Sequence, residues 1–186
     1  MDKYYNLAIA GLERKLPLCE VAPDFYIAAF IVFGDVELTV RCAEELLKKA
    51  PEFDVIVTSE AKGIPLAYEM AKLSGKYKYV VARKGLKVYM RDPVKKEVRS
   101  ITTQRLQTLY LDGNEGEYMN GKRILIVDDV ISTGESLAAM EALVNEAGGN
   151  IVGKMAALAE GDAAERKDII FLEKLPLFNG KGEIIG

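Results

Sequence analysis

The chain has 186 residues, 49% of them hydrophobic, with 25 Lys and Arg set against 28 Asp and Glu and no histidine. Without histidine there is no Ser-His-Asp or Cys-His nucleophilic machinery, no His-bound zinc or iron and no imidazole pH switch. A net charge of −3 gives no general attraction to nucleic acid, and Cys19 and Cys42 are too few for a disulfide framework or a thiolate metal site.

The length suits a single domain spanning 1–186 with one continuous core. No apolar run approaches the ~20 residues of a membrane span, and the start lacks a cationic region followed by an apolar one. A cytoplasmic protein with no membrane and no nucleic-acid partner is expected. Residues 1–34 carry aromatics and precede the first helical pattern, in which Leu38, Cys42, Leu46 and Leu47 share a face. Asp35 stands at its N-cap position and Pro51 follows its end. The run 54–60 is continuously apolar and reads as a strand buried on both faces. After it, residues 59–63 make a turn, Pro65 opens a second helix running to about Ser74, and Gly75 stops it.

The run 77–83 predicts the next strand, which ends in Arg83-Lys84-Gly85-Leu86-Lys87. Such a cluster of cations is either solvated surface or an anion site. Residues 85–122 form a polar, charged connection, far longer than the ~2–6 residues usual in βα units and of a length typical of lids and binding loops. A third strand follows at 123–129. Leu137, Met140, Leu143, Val144 and Ala147 then recur at helical spacing up to Gly148-Gly149, and a fourth strand occupies 150–160. Residues 168–172 and 175–178 give an edge strand and a closing segment. Buried runs alternating with amphipathic helices predict an α/β fold on a parallel sheet.

The most informative string is RILIVDDVISTGESLAAM, residues 123–140, where a buried strand ends in two acids and a hydroxyl-rich turn opens a helix. Open α/β sheets bind ligands at such strand ends. Ser132, Thr133, Gly134 and Ser136 suit a phosphate, because small residues let backbone N–H groups converge at a helix N-terminus. Asp128 and Asp129 can accept hydrogen bonds from vicinal hydroxyls. Together they describe a phosphorylated sugar held at both ends. The plainer alternative is a solvated strand end followed by an ordinary Ser or Thr cap. A nucleotide triphosphatase is the other competitor, since residues 116–122 match most of a Walker A string; but Arg123 follows Lys122 and a strand begins at once, where a working P-loop has Ser or Thr and a helix.

Residues 124–136 resemble the 5-phosphoribosyl 1-pyrophosphate (PRPP) binding motif of type I phosphoribosyltransferases. The resemblance implies the α/β, parallel-sheet type I phosphoribosyltransferase fold, with a core over 35–164 and a small hood built from residues 1–34 and about 165–186. It implies that Ser132, Thr133, Gly134, Glu135 and Ser136 bind the 5′-phosphate, and that Ala61, Lys62, Gly63, Arg83, Lys84 and Lys87 bind pyrophosphate. Residues 59–63 resemble the family's pyrophosphate loop, which commonly carries a cis peptide, here at Glu60-Ala61; the plain alternative for them is a βα turn. Asp128, Asp129, Lys62 and Arg83 become the catalytic set, Mg2+ binds mainly through PRPP with no dedicated metal site in the protein, and residues 85–107 become a mobile loop that excludes water. Phe33 and Ile131 are assigned to the base, although Phe25, Phe30 and Phe33 can equally be core.

The expected activity is transfer of the phosphoribosyl group of PRPP to a purine, adenine favoured, giving a nucleoside monophosphate and pyrophosphate; a homodimer is expected. Two departures qualify the subgroup. Thr102 stands where adenine phosphoribosyltransferases carry a loop Glu, and Ser132 where hypoxanthine-guanine enzymes carry an Asp. The Glu60-Ala61-Lys62-Gly63 string and the Ser100-Ile101-Thr102-Thr103 run are similar to xanthine phosphoribosyltransferases and to the PRPP domain of a purine repressor. A xanthine/guanine enzyme and a non-catalytic PRPP-sensing regulator are therefore the alternatives.

Overall fold

The computed structural model describes residues 4–99 and 106–185. Three antiparallel strands come first: β1 (Tyr4–Ile9), β2 (Leu12–Ala22) and β3 (Phe25–Ala28). Ala10 and Gly11, both at positive φ, make the two-residue turn between β1 and β2, the twist a tight hairpin requires. Leu7, Ile9 and Leu16 are buried, so one side of this ribbon faces the core. Residues 4–28 are thus strands and turns, not a helix-turn-helix.

α1 (Val36–Leu47) starts where Asp35 accepts the Leu38 N–H at 3.0 Å. Arg14 of β2 holds the same carboxylate at 2.6 Å, tying the ribbon to the helix start. β4 (Val55–Ser59) is buried throughout and leads into α2 (Ile64–Leu73), with Pro65 in its first turn. β5 (Val80–Ala82), β6 (Val94–Arg99), β7 (Leu106–Leu111) and the short α3 (Gly113–Met119) follow. β8 (Arg123–Ile131) then carries the acids, and α4 (Glu135–Glu146) ends in a reversal at Gly148, whose φ is +72°. β9 (Asn150–Glu160), a 3-10 turn (Gly161–Glu165), β10 (Ile170–Leu175) and β11 (Leu177–Asn179) complete the chain.

Five strands form one parallel sheet in the order β10-β9-β8-β4-β5. Ile56, Leu125, Val127 and Met155 pack on the α1 and α2 side, whereas Val55, Val57, Ile124, Ile126 and Ala156 pack on the α4 side. Helices cover both faces, which is why the strands lack polar alternation. β1, β2, β3 and β11 form a second, four-stranded sheet, the predicted hood. No helix among the described residues is long and apolar enough to cross a membrane.

Three expectations need correction. The stretch 85–122 is not a bare connection: β6 and β7 pair as a hairpin, and Arg83 and Tyr110 exchange two 2.8 Å backbone hydrogen bonds that fasten it beside β5. Leu109 and Leu111 are fully buried there. The strand expected at 77–83 is ordered as a strand only over Val80–Ala82. Residues 165–186 divide between the layers, because β10 hydrogen-bonds to β9 at the edge of the parallel sheet and only β11 joins the hood. Residues 100–105, including Thr102, lie outside the described residues.

Candidate functional site

The carboxyl ends of β4, β8 and β9 open under residues 27–31 of the hood into a cavity of about 330 Å3. A smaller cavity of about 50 Å3 adjoins it in the turn before α4. Asp128, Val130, Ser132 and Ser136 line both, so the acid pair and the hydroxyl turn belong to one crevice. This is the switch-region crevice where open α/β sheets take ligands.

Asp128 and Asp129 are buried at the end of β8. Asp128 Oδ1 accepts the Asp129 N–H at 2.9 Å. Burial, then the neighbouring Asp129 charge, push the Asp128 carboxyl well above the usual carboxylate range. Lys62 Nζ lies 2.9 Å from Asp129 Oδ2, an ion pair between a half-exposed ammonium and a buried acid. Among the described residues that oxygen has no hydrogen-bond partner beyond the Lys62 ion pair. Beyond the lone pair facing Lys62, this carboxylate oxygen keeps acceptor capacity for a ligand hydroxyl or a hard cation.

Residues 60–63 lie against the acids. The Glu60-Ala61 peptide is cis. Gly63 is required by close approach: a Cβ there would overlap Thr58 Oγ1 and come within 2.9 Å of Asp128 Oδ1. Glu60 gathers the basic run, with its carboxylate 3.2 Å from Arg83 Nη1, 3.6 Å from Lys87 Nζ and 2.9 Å from the Lys84 N–H. These contacts hold the Glu60 carboxyl below its ordinary range, the Lys84 N–H contributing most. Lys84 also lines the main cavity, while Arg83 and Lys87 reach it through Glu60.

The turn at 132–136 has Gly134 as the N-cap of α4, at φ +81° and with no side-chain cap. The helix start therefore presents backbone N–H groups rather than a Ser or Thr cap. Ile131, Thr133, Gly134 and Glu135 line the smaller cavity with Ser132 and Ser136. Arg166, pinned through Nε and Nη2 to Asp168, places Nη1 where a Gly134 Cβ would come within 2.6 Å of it.

The sugar, phosphate and pyrophosphate candidates are thus brought together. The base candidates are not: Phe33 is 50% exposed and does not line the main cavity, whereas buried Phe30 does, and Ile131 ends β8 and lines only the smaller cavity. Sequence reasoning also passed over two carboxylates in the cavity wall, Glu60 and Glu160. The signal for Glu160 was its position as the last residue of a strand at the ligand-binding edge. Among the described residues no group of three or more Cys, Asp or Glu is placed to hold a metal ion alone.

A family model described as the phosphoribosyl transferase domain matches residues 38–179. Over 132 residues the chain is 33% identical to an adenine phosphoribosyltransferase of Cenarchaeum symbiosum, covering 66% of this chain and 74% of that protein. It is 34% identical over 144 residues to a hypoxanthine/guanine phosphoribosyltransferase of Methanothermococcus okinawensis, covering 72% of each. A solved adenine phosphoribosyltransferase from Thermoanaerobacter pseudethanolicus superposes with a TM-score of 0.69 at 23% identity, over 82% of this chain and 93% of that one.

Proposed function

The chain belongs to the phosphoribosyltransferase family, and on that premise we propose that it transfers the 5-phosphoribosyl group of PRPP to a purine, adenine favoured, releasing pyrophosphate. One observation carries the reading. The acid pair, the hydroxyl turn and the Lys62 loop line two adjoining cavities that share Asp128, Val130, Ser132 and Ser136, of the right chemistry for a sugar bearing phosphate at both ends.

In this reading the backbone N–H groups of residues 132–136 hold the 5′-phosphate, and the dipole of α4 favours its charge. Asp128 and Asp129 accept hydrogen bonds from the two ribose hydroxyls, which fixes the ring. As the bond from the anomeric carbon to pyrophosphate breaks, negative charge grows on the leaving group, and Lys62, Arg83, Lys84 and Lys87 offset it. Glu60 keeps Arg83 and Lys87 gathered beforehand, so little reorganisation is needed at that moment. Phe30, Val130 and Leu175 give the base an apolar wall.

Mg2+ fits this donor set, because PRPP oxygens and the buried Asp129 carboxylate are hard oxygen ligands and the described residues alone offer no complete cage. Bound with PRPP, the ion would neutralise pyrophosphate charge. A homodimer in the cytoplasm completes the reading, supported by the free Cys19 and Cys42 and by the exposed Phe33, Val36 and Tyr68 near α1 and α2.

The test is pyrophosphate release from PRPP and Mg2+ with adenine, hypoxanthine, guanine, xanthine, uracil or orotate in turn. Adenine should give the fastest release with a nucleoside monophosphate as co-product. Turnover of uracil or orotate alone would overturn the purine assignment.

A further inference from the structure

Glu160 is the one carboxylate of the cavity wall that the mechanism above leaves without a task. It ends β9, one residue past the Ala159 that pairs with Ile131 of β8, and pairs in register with Leu175 of β10. Leu175 lines the same cavity, and two residues later the chain enters β11 of the hood. The next residue, Gly161, packs so closely on the hood that a Cβ there would come within 2.8 Å of Leu177 Cδ1. Glu160 therefore sits at the junction of core and hood, beside the apolar wall assigned to the base.

Its environment is unusual for a carboxylate. The side chain is partly buried, and among the described residues it makes no hydrogen bond and no ion pair. Every other acid of the cavity has one: Asp128 has the Asp129 N–H, Asp129 has Lys62, and Glu60 has Arg83, Lys87 and the Lys84 N–H. A sheltered acceptor with no partner, in a ligand-sized cavity, is matched by a donor on the ligand. Burial raises the Glu160 pKa, with the Lys62 charge opposing it, which agrees with a carboxylate that lacks donors of its own.

We propose that Glu160 reads the purine, its carboxylate accepting a hydrogen bond from the exocyclic amino group of adenine. The inference rests on the function proposed above and supplies what that reading lacks, a side chain that distinguishes an amino group from an oxo group. An oxo substituent at the same place would set a lone pair against a carboxylate, so the residue selects for aminopurines and against 6-oxopurines.

Calorimetric titration tests this with wild type, Glu160→Gln and Glu160→Leu. The ligands are adenosine monophosphate, the purine ribonucleotide lacking the amino group, inosine monophosphate, and PRPP with Mg2+. Wild type should bind adenosine monophosphate at least about ten-fold more tightly than the ribonucleotide lacking the amino group, as for loss of one charge-assisted hydrogen bond. Glu160→Leu should abolish that ratio while PRPP binding stays within about two-fold, which also reports a folded site. An unchanged ratio in Glu160→Leu, or an equal loss of PRPP binding, would overturn the assignment. A greater loss for inosine monophosphate than for adenosine monophosphate would overturn it too, because the carboxylate would then be reading a ring N–H of an oxopurine. If wild type bound PRPP but none of the nucleotides, the proposed function itself would fall, and the inference with it.

Discussion

Gly63 lies where the 60–63 loop touches Asp128, so Gly63→Ala probes the packing of the candidate site. Its backbone is ordinary, with φ at −70°, so a Cβ adds no torsional strain. The cost is purely steric: the new atom would overlap Thr58 Oγ1, sit 2.9 Å from Asp128 Oδ1 and 3.3 Å from the Asp128 Cα. Thr58 and Asp128 are buried on neighbouring strands of the parallel sheet, and the Asp128 backbone cannot retreat. Overpacking of this kind costs about 1–3 kcal/mol. For a domain of this size that is a fall in melting temperature of about 2–12 °C.

PRPP affinity should fall about ten-fold or more, since the acid and the loop are pushed apart. Thermal melts and calorimetry with PRPP and Mg2+ measure both effects. Thr58 Oγ1 is buried without a hydrogen-bond partner among the described residues, so Thr58→Ala removes the worst overlap without orphaning a described donor. The double variant Thr58→Ala, Gly63→Ala should therefore be more stable than the two single losses added together, by about 0.5 kcal/mol or more. Additive losses, or a Gly63→Ala protein with wild-type melting and affinity, would refute the contact between loop and acid.

Asp128→Asn should stabilise the free protein at neutral pH and impair PRPP binding. The folded-state pKa of Asp128 is raised, so its favourable contribution is complete below the unfolded value of about 3.9 and is lost as pH rises through the folded value. Asn does not titrate, and its melting-temperature advantage over wild type should grow from pH 4 to pH 8; no advantage at any pH would contradict the burial argument. Gly134→Ala forces a left-handed φ on a residue with a Cβ and drives that atom into Arg166, so it should cost about 1–2 kcal/mol and weaken nucleotide binding. Wild-type behaviour would mean the turn is not built as described. Phe33→Ala should change the KM for the base by about two-fold at most, because the ring is half exposed and outside the cavity; a ten-fold rise in that KM with no change for PRPP would return Phe33 to the site.

The part of the candidate site on β8, the turn and α4 was legible because its residues are local in sequence. In β8, the turn and α4, the acids, the hydroxyls and the helix start are neighbours in sequence, and the periodicities on either side fix which end of the strand they occupy. Residues 60–63 were legible for the same reason. The hood half was not, because it is assembled across the chain: β3 pairs with β11, and Leu175 reaches the cavity from β10. Three aromatics, Phe25, Phe30 and Phe33, stand close in sequence, and only the tertiary fold decides that Phe30 faces the cavity.

The β6–β7 hairpin was missed because the charges of β6 masked it, although Leu109 and Leu111 alternate correctly for a half-buried strand. Glu160 was missed because a lone acid after an apolar run also reads as a solvated strand end. What distinguishes it is the company it keeps in space.

A crystal structure of the chain with adenosine monophosphate, pyrophosphate and Mg2+ tests the central claim most directly. The account predicts the nucleotide phosphate on the backbone N–H groups of residues 132–136, the ribose hydroxyls on Asp128 and Asp129, and pyrophosphate over residues 61–63. A nucleotide phosphate seated anywhere else, or ribose hydroxyls that make no contact with Asp128 or Asp129, would contradict it.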